Sequence, residues 1–162
     1  LLHFSQLPME FDYWYFTSGI LMFGTGLALS ATPATVAITS ALPMGKQGVA
    51  SAVNDTAREV GSAVGIAILG AALTDTYKSE MVIATKDLPA EIAEKLQSSV
   101  AFTQMDSPAP LTQLWDGLVE SGLEAFNLGV QASLTIAGWT AIFGAVVIAL
   151  VAPTKVTETN HG

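Results

Sequence analysis

Charge is distributed so unevenly along this chain that the gaps in it predict the elements. Residues 13–45, between Asp12 and Lys46, carry no Asp, Glu, Lys or Arg, and neither do residues 125–154, between Glu124 and Lys155. A helix that crosses a ~30 Å hydrocarbon core needs roughly 20 apolar residues at ~1.5 Å rise each. Both runs meet that length with room to tilt. A third uncharged run, residues 60–74, is too short alone and reaches spanning length only if the helix starts near Gly48. That extension takes Asp55, Arg58 and Glu59 into the helix.

The pattern therefore predicts an all-α membrane protein with three transmembrane helices, at 13–42, 48–73 and 125–151. A short loop at 43–47 joins the first two, and residues 1–12 and 152–162 form the flanking loop and tail. The first helix opens on Tyr13, Trp14 and Tyr15, amphipathic rings suited to the headgroup level. Pro33 removes one of its hydrogen bonds and predicts a kink.

Residues 74–124 differ in kind. In "LPAEIAEKLQSSV" Asp87 is a candidate cap, Pro89 opens the helix, and Ile92, Leu96 and Val100 share one face. After "DSPAP", Leu111, Leu114, Trp115 and Leu118 recur at helical spacing. Structureless loops longer than ~12–15 residues are uncommon, so this segment predicts an amphipathic helical hairpin between the second and third spans.

Composition agrees with a lipid environment. Only 12% of the 162 residues are charged, 51% are hydrophobic and the mean hydropathy is +0.50, whereas soluble domains carry roughly 25% charged residues. The net charge of −8 belongs mostly to one place: residues 74–124 hold nine acids and three lysines. That balance excludes a basic nucleic-acid surface. With no cysteine, and with His3 and His161 at the chain ends, neither a metal site nor a thiol centre is expected. Gly-x-Ser-x-Gly and His-Glu-x-x-His are absent too, and no enzyme activity is expected. The chain opens Leu-Leu without a methionine or signal-peptide pattern, which suggests a piece of a longer polypeptide.

Three patterns inside the spans carry candidate chemistry. Gly61 and Gly65 form a Gly-x-x-x-Gly motif that lets helix backbones approach closely. Thr25, Thr32, Thr35 and Thr39 share one face of the first span, where they either line a wet cavity or bond back to their own helix carbonyls. Asn127, Gln131 and Thr135 form a weaker stripe suited to interhelical hydrogen bonds. The trio Asp55, Arg58 and Glu59 projects from one side of the second span. Two carboxylates that close resist being ionised together, and the arginine favours the ionised form. Such a trio suits proton exchange or attraction of a cation. A solvated helix start, with acids matching the helix dipole, accounts for the same residues, especially for the shallower Asp55. Glu59, the deeper acid, is the stronger candidate because acids inside membranes are usually functional.

The stretch "LPMGKQGVASAVNDTAREVGSAVGIAILG" resembles the loop and penultimate span of the fourteen-span drug:proton antiporters of the major facilitator superfamily. The matching positions are Pro43, Lys46, Gly48, Ser51, Asn54, Thr56, Arg58, Gly61 and Gly65. The preceding "GTGLALSATPATVAITSALP" is similar to that family's twelfth span at Gly24, Gly26 and Pro33. The chain departs from the pattern in a less basic loop, at Gly45 and Lys46, and in Ala52 where glycine is frequent.

The resemblance implies the C-terminal three spans of a major facilitator fold in the plasma membrane. It places 43–47 and 152–162 in the cytoplasm, and 1–12 and the hairpin outside. It further implies export of hydrophobic or cationic drugs with the proton as coupling ion and no other cofactor. Glu59 and Asp55 would handle the proton or cation, Arg58 would be their charge partner or a gate, and the Thr25–Thr39 stripe would line the cavity. The partners would be the remaining spans of the same transporter, a small-molecule substrate and the lipid bilayer. The alternative is a small three-span membrane scaffold whose acidic hairpin binds another protein.

Overall fold

The computed structural model describes residues 1–6, 12–40, 42–105 and 113–151, and among them every regular element is helical. Helix α1 covers Tyr13–Ser40, α2 Gln47–Ala84, α3 Ala90–Ser98 and α4 Trp115–Val151. Short 3-10 turns occupy Phe4–Gln6, Met44–Lys46 and Val100–Gln104. Helices α1, α2 and α4 are long and apolar enough to cross a membrane, as the uncharged runs require. The chain is thus an all-α membrane protein.

Asp12 starts α1: its Oδ1 accepts the backbone N–H of Trp14 at 2.9 Å and of Tyr15 at 3.1 Å. These bonds satisfy two of the donors that a helix N-terminus leaves open. The helix then runs through Pro33 to Ser40.

The region expected to fold as a separate hairpin is built differently. Helix α2 does not end where the charges resume at Asp75 but continues to Ala84. The segment around Trp115 and Leu118 is the first turns of α4 and no independent helix. Of the two hairpin helices only the first exists as such, as α3, and Val100 falls in the 3-10 turn beyond it. The physical reason is length. At ~1.5 Å per residue the 38 residues of α2 extend about 57 Å, far beyond a ~30 Å hydrocarbon core. Charges exclude a helix from lipid, not from water. Residues 106–112, which include the proline-rich break and Leu111, lie outside the described residues.

Helix α2 stops at Thr85, whose N–H and hydroxyl both donate to the Met81 carbonyl, at 2.9 and 2.6 Å. The Thr85 oxygen accepts in turn from Gln97 Nε2 at 2.8 Å, which ties α3 to the helix end. Pro89, not Asp87, then occupies the N-cap of α3 and makes no side-chain cap bond. The hydrophobic core lies here, between the charged extension of α2, α3 and the start of α4. Tyr77, Met81, Leu96, Leu118 and Ala125 are buried, with Ile92, Val100, Phe102 and Trp115 packed against them. The Tyr77 hydroxyl crosses this core to donate to the Leu96 carbonyl at 2.7 Å.

The spanning stretches contrast with this cap. Their most apolar windows are only 0%, 6% and 6% buried by the chain itself, so their apolar surface is left for lipid or for further helices.

The cap generates two expectations. Leu96→Ala empties a site that is 1% exposed and should cost about 2–5 kcal/mol, read as faster tryptic cleavage at Lys86 and Lys95. Burial pushes the Tyr77 hydroxyl above its ordinary value near 10.0. An acid raised on folding contributes stability that is complete below its unfolded value and is lost as pH rises through the folded one. Cap unfolding should therefore show an alkaline component above pH ~10. Tyr77→Phe should remove that component, while costing about 1 kcal/mol at neutral pH through the lost hydrogen bond.

Candidate functional site

The first four turns of α2 carry the charged trio. At 100° per residue Asp55, Arg58 and Glu59 occupy a contiguous arc of about 100° on the helix surface, and all three side chains are exposed. Among the described residues the one ion pair is Lys95 with Glu91, an exposed i, i+4 pair at 3.0 Å in α3. The structure therefore brings the trio onto one side of α2 without closing it: no salt bridge joins Arg58 to either acid. Two carboxylates and a guanidinium are presented outward, chemically free to take a cation, a proton or an acceptor from a neighbouring element.

Beside the arc runs an apolar strip. Val49, Ala52, Val53, Thr56, Val60 and Gly61 form an open, exposed apolar face on this helix. Thr56 contributes no free hydrogen to it, since its hydroxyl donates to the Ala52 carbonyl at 2.8 Å. Glu59 lies on the edge of the arc nearest this strip, 60° from Thr56 by helical angle. An apolar surface bordered by a carboxylate suits a ligand with a greasy body and a positive centre.

The other sequence candidates fall out as follows. The Thr25 hydroxyl donates to the Leu21 carbonyl at 2.7 Å and that of Thr35 to Ala31 at 3.0 Å. For these two the back-bonding alternative describes the hydroxyls. Thr32 is exposed on the same helix, and the side chain of Thr39 lies outside the described residues. Gly61 and Gly65 have nothing within 4 Å of where a Cβ would stand, so their flat face touches no other element among the described residues. Thr135 donates to the Gln131 carbonyl of its own helix at 2.8 Å, while Asn127 and Gln131 are half-buried and engaged.

Close helix packing occurs instead on α4, along Gly122, Ala125, Gly129 and Ser133, all buried. A Cβ on Gly129 would meet the Leu73 carbonyl oxygen at 2.8 Å. Ser133 Oγ makes an interhelical hydrogen bond, donating to the Leu69 carbonyl at 2.8 Å. The three- and four-residue spacing of these small residues was the available signal, and it is as regular as the Gly61–Gly65 motif.

Over 126 residues the chain is 32% identical to the multidrug efflux pump LfrA of Mycolicibacterium smegmatis, an alignment covering 76% of this chain and 24% of that protein. The chain thus spans about a quarter of the length of this curated relative. No family model and no solved structure matches it. The chain is an all-helical membrane protein related to a multidrug efflux transporter.

Proposed function

We propose that this chain is the C-terminal part of a proton-coupled secondary transporter of the major facilitator superfamily, exporting hydrophobic or cationic drugs across the plasma membrane. The observation that carries the reading is the unneutralised trio on an otherwise lipid-compatible helix of an efflux-pump relative. Charged groups at such a place are costly and are kept where they face a pathway or a partner.

In this reading α1, α2 and α4 are the last three of fourteen spans, and the bare flanks of α1 and α2 pack against spans supplied by the rest of the polypeptide. The turn at 43–47 and the tail are cytoplasmic, and the cap is extracytoplasmic. With Leu73 at the outer boundary, Glu59 lies fourteen residues in, or about 21 Å along a ~30 Å core. Asp55 lies about one turn nearer the cytoplasmic water. Glu59 then carries the proton or the substrate cation, Asp55 assists at the mouth, and Arg58 serves as charge partner or gate when the neighbouring helices are in place. Rocking of one helix bundle against the other exposes the site alternately to the two sides. The three-span scaffold reading gives Glu59 no task, and the two readings therefore part on this residue.

In the full-length protein, Glu59→Gln should abolish proton-driven drug uptake into everted vesicles with expression unchanged, and Asp55→Asn should reduce it less. Full activity of the Glu59 variant rejects the proton role, and equal losses reject the ranking by depth. A second expectation concerns Gly61. In the 162-residue chain Gly61→Ala should raise thermal stability by as much as about 1 kcal/mol, the intrinsic helix preference of alanine. In the full-length transporter the same change should lower assembly, because a further span occupies that face. A stabilising effect in both settings contradicts such a neighbour.

A further inference from the structure

Helix α2 is held most closely over its second half, although α1 also touches it and Ala50 near its start is buried. Leu73 lies against Gly129 at a separation that leaves no room for a side chain, and the obstructing atom is a backbone oxygen that cannot turn aside. One turn further along, the Ser133 hydroxyl is shared between the Leu69 carbonyl across the seam, at 2.8 Å, and the Gly129 carbonyl of its own helix, at 3.0 Å. Beyond these contacts the cap core holds Tyr77 and Met81. Toward the charged end the cover is lost: Ile66 is 75% exposed and Val60 59%.

Residues 69 and 73 thus mesh with 133 and 129 in an antiparallel register, and the trio rides on the more exposed half of the same helix. We propose that Gly129 and Ser133 are positioning residues that fix the longitudinal register of α2 and through it the depth of Glu59. Ridges of side chains re-mesh only after a slip of about one turn, which moves Glu59 by about 5.4 Å along the helix axis. A displacement of that size carries a carboxylate between the edge of the hydrocarbon and its interior. Gly129 admits the close register because it has no side chain to meet the Leu73 carbonyl, and the Ser133 bond selects that register among those that fit. The consequence for export rests on the transporter reading; the register itself does not.

The test uses the full-length protein with a single cysteine introduced by Ser62→Cys, combined with Ser133→Ala, Gly129→Ala or, as a control, Thr135→Ala. An impermeant maleimide reports the labelling rate at position 62 in everted vesicles, and the pH profile of export is recorded for the same variants with Ser62 restored. Ser133→Ala should change the labelling rate about threefold, the factor that a typical interhelical hydrogen bond in a bilayer represents, and should displace the pH profile. Gly129→Ala should do more. Thr135→Ala, which loses only a bond within α4, should do neither. Ser133→Ala removes an oxygen without adding bulk, so it decides the matter even if Gly129→Ala does not assemble. Unchanged labelling and an unchanged pH profile in Ser133→Ala overturn the proposal, as does an equal change in the control. Altered labelling together with full export by Glu59→Gln leaves the register standing and removes the role of Glu59.

Discussion

The approach of the Leu73 carbonyl to Gly129 sets the geometry of this chain. It brings two helix backbones together where lipid offers no hydrophobic reward for doing so, and packing and hydrogen bonding must supply the attraction. A glycine at 129, a serine at 133 and an alanine at 125 make that approach possible. The cap depends on it in turn. Only because α2 and α4 emerge side by side do Tyr77 and Met81 face Leu118 and Ala125, and only then does α3 have a surface to lie on.

The molecule consequently divides into regions held by different forces. Outside the lipid-compatible stretches, a small apolar core is closed by hydrogen bonds from Tyr77 and Gln97, as in a soluble domain. Along the spans, α2 and α4 approach most closely at a seam of small residues, and many large side chains are exposed. Charges follow the same division. Those of the cap and its approaches meet water, whereas Asp55, Arg58 and Glu59 stand on a helix whose neighbouring surface is apolar. This contrast is the physical basis for proposing that the trio serves transport.

The sequence made the three long helices legible through one rule, the cost of charge in hydrocarbon. The same rule brought out the start of α2 but not its C-terminal end or the start of α4, because it detects where lipid ends and not where helical hydrogen bonding ends. Helix α2 runs on to Ala84 with Thr85 as its cap and Pro89 soon after, and Asp75, Lys78 and Glu80 are exposed residues within it. Close packing was readable as a type of motif but not as a place. Gly61–Gly65 and Gly122–Ser133 have equivalent spacing, and only the fold shows that the second meets a helix of this chain. The hydroxyls of Thr25 and Thr35 turned back on their own helix, an option that spacing alone leaves open. The trio was found from sequence because three charges interrupt an apolar pattern. That none of them forms a salt bridge among the described residues required coordinates.

Two other glycines are treated in a contrasting way. The first six residues fold across α1 and α4, with the ring of Phe4 seated over Gly19 and the side chain of Leu2 over Gly138. His3 stacks on Tyr15 at 4.0 Å and bonds its carbonyl at 3.1 Å, which anchors the segment. At these two notches the filler belongs to the opening segment and not to a helix backbone, so a methyl group added to either glycine displaces that segment before it moves the helix axes. The seam between α2 and α4 has no such sacrificial part. Evolution of this chain is accordingly free to resize its opening segment, while the seam admits almost no change in volume.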